Sequence, residues 1–469
     1  MRLWKRRVSK IRAVLAALSL VTCTSVVATT TTTSSTATST PAAPTPPPST
    51  TPAPSTKPPA ESPPATPPAA PPRTIVMPSL GRDAGGEDIR VVLRNAGPVM
   101  RVTSPGGLVF TERDGRQLVA RGRGDEPWRI ERDGRRVRAV RSDGLPTVWT
   151  EPPLIARAER GGVIALNGRG YRGELALYGQ DSGVVAVNRV RIDDYLRSVV
   201  PLEIGSKSFG DSAAIQAQAV TARSYAYIHL SKEPSRIYDV TDGVQDQVYG
   251  GIASETPAAD RAVEATRGLV LKYAGRVVNA PYHSTCGGTT AAASEVWRSG
   301  DEPYLTRVSD RVPGTDRFYC DIGSRFRWTR TLDAATLNAA IAQYLATYTA
   351  VPAAGPGFAR DMTVLSKTLS GRVAALSLTT SRGRFTLRGN DIRYVLRPPG
   401  GEILNSTYFS VEPTTDLDGS IARLMLRGTG YGHGVGMCQW GAIGRARAGQ
   451  DFRTILHTYY PGTTVGTAN

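Results

Sequence analysis

One tract of this chain cannot fold, and it limits where a fold can be. Residues 29–72 consist almost entirely of Thr, Ser, Pro and Ala. Such a composition buries too little apolar surface to offset the entropy lost when a backbone becomes ordered. We therefore expect a disordered, extended linker over residues 29–74, either a spacer or a segment without a role of its own. The folded part is expected to begin near residue 75.

The start of the chain has the pattern of an export signal. Residues 1–12 are basic and residues 13–21 are apolar, which predicts a signal over residues 1–28. Leu20-Val21-Thr22-Cys23 resembles a lipoprotein box that would place a lipid anchor on Cys23, and cleavage near Val26-Val27-Ala28 is the alternative. We expect an exported protein of the periplasm, cell envelope or extracellular space, attached to a membrane only if Cys23 is lipidated.

The formal charge is strongly positive but unevenly distributed. The net charge is +17, and residues 1–74 contain eight basic residues and one acidic residue, so +10 remains for the rest. A basic body can attract anionic polymers. The export signal and the lack of an aromatic stacking platform argue against nucleic acid, so we expect anionic wall polymers instead.

Hydrophobic patterning predicts an α+β fold. Short alternating runs between turn signals indicate strands over residues 88–180. A helix is predicted at Tyr195–Val200, ending at Pro201, and an Ala-rich helix from Asp211-Ser212 to about Leu230. We expect a β-rich accessory domain at residues 75–165, and a mixed domain with a few helices at residues 166–465.

Three cysteines remain beyond the predicted signal, and in an oxidising compartment paired cysteines tend to form disulfides. Cys286 and Cys320 are the candidate pair, whereas Cys438 lies in a Gly-rich segment and is expected to be a small buried residue. No four-ligand zinc motif is present, so neither a metal nor another cofactor is expected.

Two segments carry residues suited to chemistry. Glu203 follows Pro201 among apolar neighbours, where a carboxyl group can stay protonated and act as a general acid. On the residues alone, a solvated turn residue is the commoner interpretation of such an acid. The Gly-rich run 428–436 permits close approach of either another backbone or a ligand. His433, Gln439 and Trp440 beside it are suited to binding sugar and favour a groove wall.

The motifs resemble the SpoIID/LytB family over roughly residues 165–465. They are Val187-Asn188, Asp194-Tyr195-Leu196, Val199-Val200-Pro201-Leu202-Glu203, residues 215–226, Asp246-Gln247-Val248-Tyr249-Gly250-Gly251, Ser284-Thr285-Cys286-Gly287-Gly288-Thr289, residues 430–442 and Tyr459-Tyr460-Pro461-Gly462. The resemblance implies a peptidoglycan lytic transglycosylase that cleaves the MurNAc–GlcNAc bond and leaves a 1,6-anhydro end. Its catalytic acid would be Glu203, and its partners would be glycan strands. A non-catalytic enhancer of a cell-wall amidase is the alternative.

The resemblance also implies further substrate-binding residues, namely Gln218, Arg223, Tyr249, Ser284 and Thr285. Two departures from the family pattern matter. Some family members bind zinc near the Gln-x-Tyr-Gly-Gly segment, but this chain has Gln245-Asp246-Gln247 there, which supports the expectation of no metal. Cys438 replaces the Ser usual before Gln-Trp, so activity is expected to be sensitive to thiol reagents.

Overall fold

The computed structural model describes residues 87–468 except 95–98, 114, 160–161, 206–208, 232, 234 and 299. The described residues fall within one unit, Met77–Asn469. The predicted export signal at residues 1–28, with Cys23, and the predicted linker at residues 29–74 lie outside the described residues.

The described strands, in chain order, are β1 Asp88–Leu93, β2 Met100–Thr103, β3 Leu108–Thr111, β4 Leu118–Gly122, β5 Trp128–Asp133, β6 Arg136–Val140, β7 Leu154–Ala158, β8 Ile164–Leu166, β9 Arg169–Tyr171, β10 Glu174–Gln180, β11 Gly183–Arg191, β12 Val240–Thr241, β13 Leu269–Tyr273, β14 Arg276–Val277, β15 Tyr282–His283, β16 Arg327–Asp333, β17 Ala359–Lys367, β18 Val373–Thr380, β19 Gly383–Arg388, β20 Phe409–Thr415, β21 Ile421–Thr429, β22 Met437–Cys438 and β23 Thr464–Thr467.

The described α-helices are α1 Ile192–Ile204, α2 Ser212–His229, α3 Pro257–Ala265, α4 Ala293–Val296, α5 Ala334–Tyr348, α6 Asp391–Val395, α7 Gln439–Arg447 and α8 Phe452–Tyr459. Short 3-10 helices cover Phe209–Asp211, Ile252–Ser254 and Tyr319–Ile322. Helices α5 and α8 begin where Asp333 and Asp451 accept hydrogen bonds from the backbone N–H three residues later, which satisfies one free donor of the first turn. The predicted α+β fold class is confirmed.

Strands β1 to β12 form two sheets. Seven strands lie in the order β12-β1-β11-β10-β7-β3-β4, and five in the order β6-β5-β2-β8-β9. Along β1, the side chains of Ile89, Val91 and Leu93 are buried and alternate with less buried residues, as expected for a strand with one face in the core. Strands from both sides of residue 165 share the seven-stranded sheet, and the division into two domains there stays a prediction.

Helix α2 lies at the centre of the main hydrophobic core. It contacts α1, α3, α7 and α8, and its alanines at 214, 217, 219, 222 and 226 are buried. Small side chains let the neighbouring helices approach closely, which explains the Ala-rich sequence of this helix. The arrangement brings the end of α1 close to segments that lie far away in the sequence.

A second hydrophobic cluster involves buried residues between Leu332 and Leu426. It is enclosed by α5, α6 and two three-stranded sheets, with the strand orders β16-β21-β20 and β17-β18-β19. The two-stranded parallel sheet of β15 and β22 belongs to the main cluster and pairs Tyr282 with Met437 and His283 with Cys438. Among the described helices, none is long and apolar enough to cross a membrane.

Candidate functional site

Glu203 is the penultimate residue of helix α1. The prediction that this helix stops at Pro201 was wrong, because α1 continues to Ile204. The proline lies in the last turn, where it removes a single intrahelical hydrogen bond. Gly205 then ends the helix in the left-handed conformation, with a φ of 66°, and its N–H donates to the Pro201 carbonyl. Glu203 is half-buried, between exposed Leu202 and buried Ile204.

The Glu203 carboxylate is held by two donors. The backbone N–H of Val248 donates to Oε1 over 2.8 Å, and the hydroxyl of Tyr282 is a second donor. Burial raises the pKa of Glu203, and the two hydrogen bonds lower it by less, so that the pKa lies above its usual value. No other carboxylate contributes to this shift among the described residues. The side chain therefore retains a proton to higher pH than an exposed glutamate.

A chain of polar side chains continues from Glu203 into the core. Gln247 donates through Nε2 to the Tyr282 hydroxyl over 3.1 Å, and its Oε1 accepts from the Tyr195 hydroxyl over 3.2 Å. Sequence reasoning did not single out these three residues, although all of them belong to or adjoin the motifs that carry the resemblance. Their buried hydrogen bonds fix the orientation of Tyr282 and, through it, that of the Glu203 carboxyl group.

His433 supports the same tyrosine from its backbone side. The ring accepts from the Val435 N–H at Nδ1, so Nε2 carries the proton and donates to the Tyr282 carbonyl over 2.8 Å. Burial holds the pKa of His433 well below its usual value, so the ring is neutral. The ring lies 5.1 Å from that of Trp297, centroid to centroid. His433 is thus close to the Glu203 network, but both of its nitrogens are engaged with the backbone.

Four more predicted residues lie in or beside α7. Gln439 donates through Nε2 to Gln218 Oε1 over 3.2 Å, and both side chains are buried. The Gln218 Nε2 atom is buried and has no hydrogen-bond partner among the described residues. Trp440 is half-buried, and its backbone N–H donates to the carbonyl of half-buried Ser284. The structure thus joins these predicted residues in pairs.

Thr285 is buried in a position that adjoins this group. Only 1% of it is exposed, and its backbone exchanges two hydrogen bonds with Tyr431. Its hydroxyl oxygen is buried without a partner among the described residues. The side chain therefore faces the interior, and it does not line an open groove in this structure.

Two residues expected to bind substrate, Arg223 and Tyr249, lie in the core, and their role in substrate binding stays a prediction. Arg223 is 1% exposed and donates to Asp193, at 2.8 Å, and to the carbonyls of Val263 and Leu269. Its guanidinium joins α1 to α3 and β13, and its donors are occupied by protein acceptors.

Tyr249 is the second of these. It is 3% exposed, donates to Asn188 Oδ1 over 2.7 Å, and packs against the rings of Tyr171 and Tyr195. A buried tyrosine needs such a partner for its hydroxyl. The Tyr249 side chain therefore stabilises the core between β11 and α1.

The glycine-rich run packs against protein backbone. A Cβ atom at Gly432 would lie 2.7 Å from the His283 side chain, and one at Gly436 would lie 2.1 Å from the Pro281 carbonyl oxygen. Both glycines have positive φ angles, of 117° and 69°. Of the two alternatives open from the sequence, close packing of another backbone is the one that the structure has.

The cysteine prediction also needs correction. Cys286, Cys320 and Cys438 are all free and buried. The Cys286 and Cys320 sulfurs are 3.5 Å apart, whereas a disulfide requires about 2.05 Å. The sequence placed the right two residues together, but it did not show that Cys438 lies beside them. Cys438 is buried, as expected.

A cleft with a volume of about 1060 Å³ lies beside Trp297. Its walls combine aromatic side chains, Trp297, Tyr348 and Tyr394, with basic ones that include Arg298 and Lys367. The lining does not include Glu203. Trp297 contacts the ring of His433, so the cleft lies close to the histidine that donates to the Tyr282 carbonyl.

Comparison with known proteins relates two parts of the chain to families. The family model of the Stage II sporulation protein, SpoIID, matches residues 180–273. This range contains Glu203, α2 and the Gln247 segment. A second model, a domain of unknown function (DUF8618), matches residues 315–436, which include the second hydrophobic cluster.

Similar proteins come from several bacteria. An uncharacterized protein of Brachyspira hyodysenteriae is 30% identical, over 64% of this chain and 74% of its own length. The amidase enhancer of Bacillus subtilis is 29% identical, over 58% of this chain but only 40% of its own length. The stage II sporulation protein D of Bacillus subtilis is 27% identical, over 61% of this chain and 77% of its own length.

Proposed function

The chain belongs to the SpoIID/LytB family, and on that premise we propose that it remodels peptidoglycan as an exported lytic transglycosylase. The substrate would be the glycan strand, cut between MurNAc and GlcNAc. The observation that carries the proposal is the environment of Glu203, a half-buried carboxyl group with a raised pKa and two fixed donors.

A single carboxyl group can perform this reaction. A glycosidase that adds water normally needs two carboxyl groups. In a transglycosylase, the sugar's own C6 hydroxyl attacks C1, and the bond from C1 to the leaving oxygen breaks. Glu203 would first donate its proton to the leaving oxygen and then accept the proton of the C6 hydroxyl. This fits a site in which, among the residues that the structure describes, no second carboxylate perturbs the pKa of Glu203.

The surrounding residues support both roles of Glu203. A raised pKa keeps the acid form populated nearer to neutral pH, which a proton donor requires. The Val248 N–H and the Tyr282 hydroxyl can also stabilise the carboxylate left after proton donation. Gln247 and His433 hold Tyr282 in place from two sides, so we assign them positioning roles.

The test is the variant Glu203→Gln, which preserves shape but cannot transfer a proton. On glycan strands stripped of stem peptides, we expect release of anhydro-muramic ends to fall by at least about 100-fold, the contribution typical of general acid–base catalysis. Products are identified by mass spectrometry. The matched control is Glu264→Gln on α3, an exposed acid paired with Arg267, which should retain wild-type activity. Wild-type product release by Glu203→Gln would refute the assignment.

A second function is favoured by a specific observation, the similarity to a protein named amidase enhancer. In this alternative the chain binds peptidoglycan, stimulates a cell-wall amidase and cuts nothing itself. It predicts that the purified wild-type protein binds sacculi without releasing fragments, and increases product release by an added amidase. Anhydro ends from the protein alone would exclude it, and reducing ends would indicate a hydrolase.

A further inference from the structure

Four buried side chains that the proposed function does not use meet at one point. Each of Cys286, Asp310, Cys320 and Cys438 is fully buried. One ligand atom from each lies within 4.8 Å of all the others. They come from four separate segments, namely the loop after β15, the loop before the 3-10 helix Tyr319–Ile322, that helix itself, and β22. The spacing of these four residues along the sequence does not predict that their side chains meet.

The distances fit a single tetrahedral ion. Zinc–sulfur bonds of about 2.3 Å and zinc–oxygen bonds of about 2.0–2.2 Å place tetrahedral sulfurs about 3.8 Å apart, and a sulfur and an oxygen about 3.6 Å apart. The Cys286 and Cys320 sulfurs are 3.5 Å apart, and Cys286 Sγ is 3.7 Å from Asp310 Oδ2. The sulfurs are too distant for a disulfide and too close together to surround a multi-iron cluster.

The neighbouring groups orient the four side chains as the outer partners of metal ligands do. Asp310 Oδ1 accepts from the Tyr459 hydroxyl over 2.7 Å and pairs with Arg445 at 3.2 Å. This leaves Oδ2 facing the sulfurs. Cys438 Sγ accepts from the backbone N–H groups of Cys286, at 3.1 Å, and Gly441, at 3.3 Å. These donors favour a thiolate at the start of α7.

We propose that Cys286, Cys320, Cys438 and Asp310 bind one Zn²⁺ ion in a closed structural site. Binding forms three Zn–S bonds and one Zn–O bond, and thiols that are protonated beforehand release their protons to solvent. The complete set has a formal charge of −2, and Arg445 beside Asp310 offsets part of it. Four protein ligands leave no position for substrate, which distinguishes a structural from a catalytic zinc.

The donor set favours zinc over the other thiophilic candidate, Cu(I). Cu(I) prefers soft ligands alone, whereas zinc accepts a carboxylate beside thiolates. A disulfide between Cys286 and Cys320 would leave the Cys438 thiol and the Asp310 carboxylate buried beside it without a shared partner. The ion satisfies all four groups at once.

The proposed zinc site adjoins the two-stranded sheet that contains Tyr282. His283 pairs with Cys438, and the preceding Tyr282 pairs with Met437 in the same two-stranded sheet. Zinc would join this sheet to the Tyr319–Ile322 helix and to α7, and so stabilise the strand that presents Tyr282 to Glu203. The metal therefore stabilises the fold of the site without taking part in the reaction.

The test measures metal content and stability in the full chain, purified anaerobically under reducing conditions. We expect about one zinc per chain, and strong visible absorption of tetrahedral thiolate-bound Co²⁺ after exchange. The double variant Cys320→Ser/Cys438→Ser should lose both signals and have a lower Tm. Asp316→Asn, which changes an exposed acid outside the cluster, should retain both. Equal metal binding by the double variant, or none by the wild type, would overturn the proposal.

If the double variant does not fold, a second measurement on the wild-type protein tests the site instead. X-ray absorption at the zinc edge of the wild-type protein should show three sulfurs at about 2.3 Å and one oxygen at about 2.0–2.2 Å. Any other set of ligands would contradict the site. Glu203→Gln should retain its zinc, so failure of this inference and failure of the proposed catalysis are distinguishable.

Discussion

At the scale of single residues, environment decides chemistry more than residue type does. Glu203 and Arg223 both stood out from the sequence as site residues. Glu203 is half-buried with a raised pKa. The donors of the Arg223 guanidinium, by contrast, are occupied by Asp193 and by backbone carbonyls. The sequence identified polar groups in the right segments, but it did not show which of them retain an unoccupied face. Tyr282 and Gln247 were missed because their hydrogen bonds to the Glu203 network depend on long-range contacts that the sequence does not show.

The raised pKa of Glu203 has a consequence for stability. A folded-state pKa above the unfolded value means that the native protein holds this proton more tightly. Its stabilising contribution is present below the unfolded value of about 4.3 and is lost as the pH rises through the folded-state pKa. Glu203→Gln cannot ionise and does not lose this contribution. The Tm of the variant minus that of the wild type should therefore increase from about pH 4 to about pH 7.

Calorimetry at both pH values checks this expectation, with Glu264→Gln as the exposed control. The groups whose own ionisation is coupled to Glu203 are Tyr195, Tyr225 and Tyr282, and burial raises the pKa of each. They therefore stay neutral throughout this range. A Tm difference between Glu203→Gln and the wild type that does not change with pH would show that the carboxyl group is not perturbed.

At the scale of elements, the site depends on how helices and loops are held against one another. Arg223 connects α2 to α1, α3 and β13 through buried polar contacts. The Gly-rich run lies against residues 281–286 because its glycines leave room for that backbone. These connections hold the end of α1 and the strand β15 in position around Glu203.

Removal of Arg223 should destabilise the fold without a direct effect on substrate. Arg223→Met leaves Asp193 without its buried partner, and such a loss typically costs about 3–5 kcal/mol. Denaturant unfolding measures it. The control Arg427→Met removes an exposed pair with Glu412 and should cost no more than about 1 kcal/mol. Loss of glycan binding at unchanged stability would instead support the substrate-binding role predicted from the family resemblance.

Gly436 gives a second test at this scale. Gly436→Ala would force an alanine into the left-handed conformation and place its Cβ 2.1 Å from the Pro281 carbonyl oxygen. The conformation alone costs roughly 1–3 kcal/mol, and the steric overlap adds to it. We expect a loss of more than about 2 kcal/mol in the free energy of unfolding. Gly466→Ala, where no atom lies within 4 Å of the new Cβ, should be nearly neutral.

At the scale of the whole molecule, the chain brings together segments separated by more than 150 residues. Gln439 bonds to Gln218 across 221 positions, and Cys438 accepts from the Cys286 backbone across 152. The α+β class, the Ala-rich helix and the family motifs were predictable, because hydrophobic patterning and motif order are local properties. Which segments touch was not.

The sequence by itself determined the elements, the fold class and the motifs of the SpoIID/LytB family, since hydrophobic periodicity, turn residues and motif order are all contained in the linear order. Only the tertiary structure decided that α1 continues through Pro201, that Arg223 and Tyr249 belong to the core, and that three cysteines and an aspartate share one position. The physical reason is that burial and hydrogen-bond partners depend on long-range packing. Cys286, Asp310, Cys320 and Cys438 lie in separate segments of the sequence, and only the fold brings them together as the proposed zinc ligands.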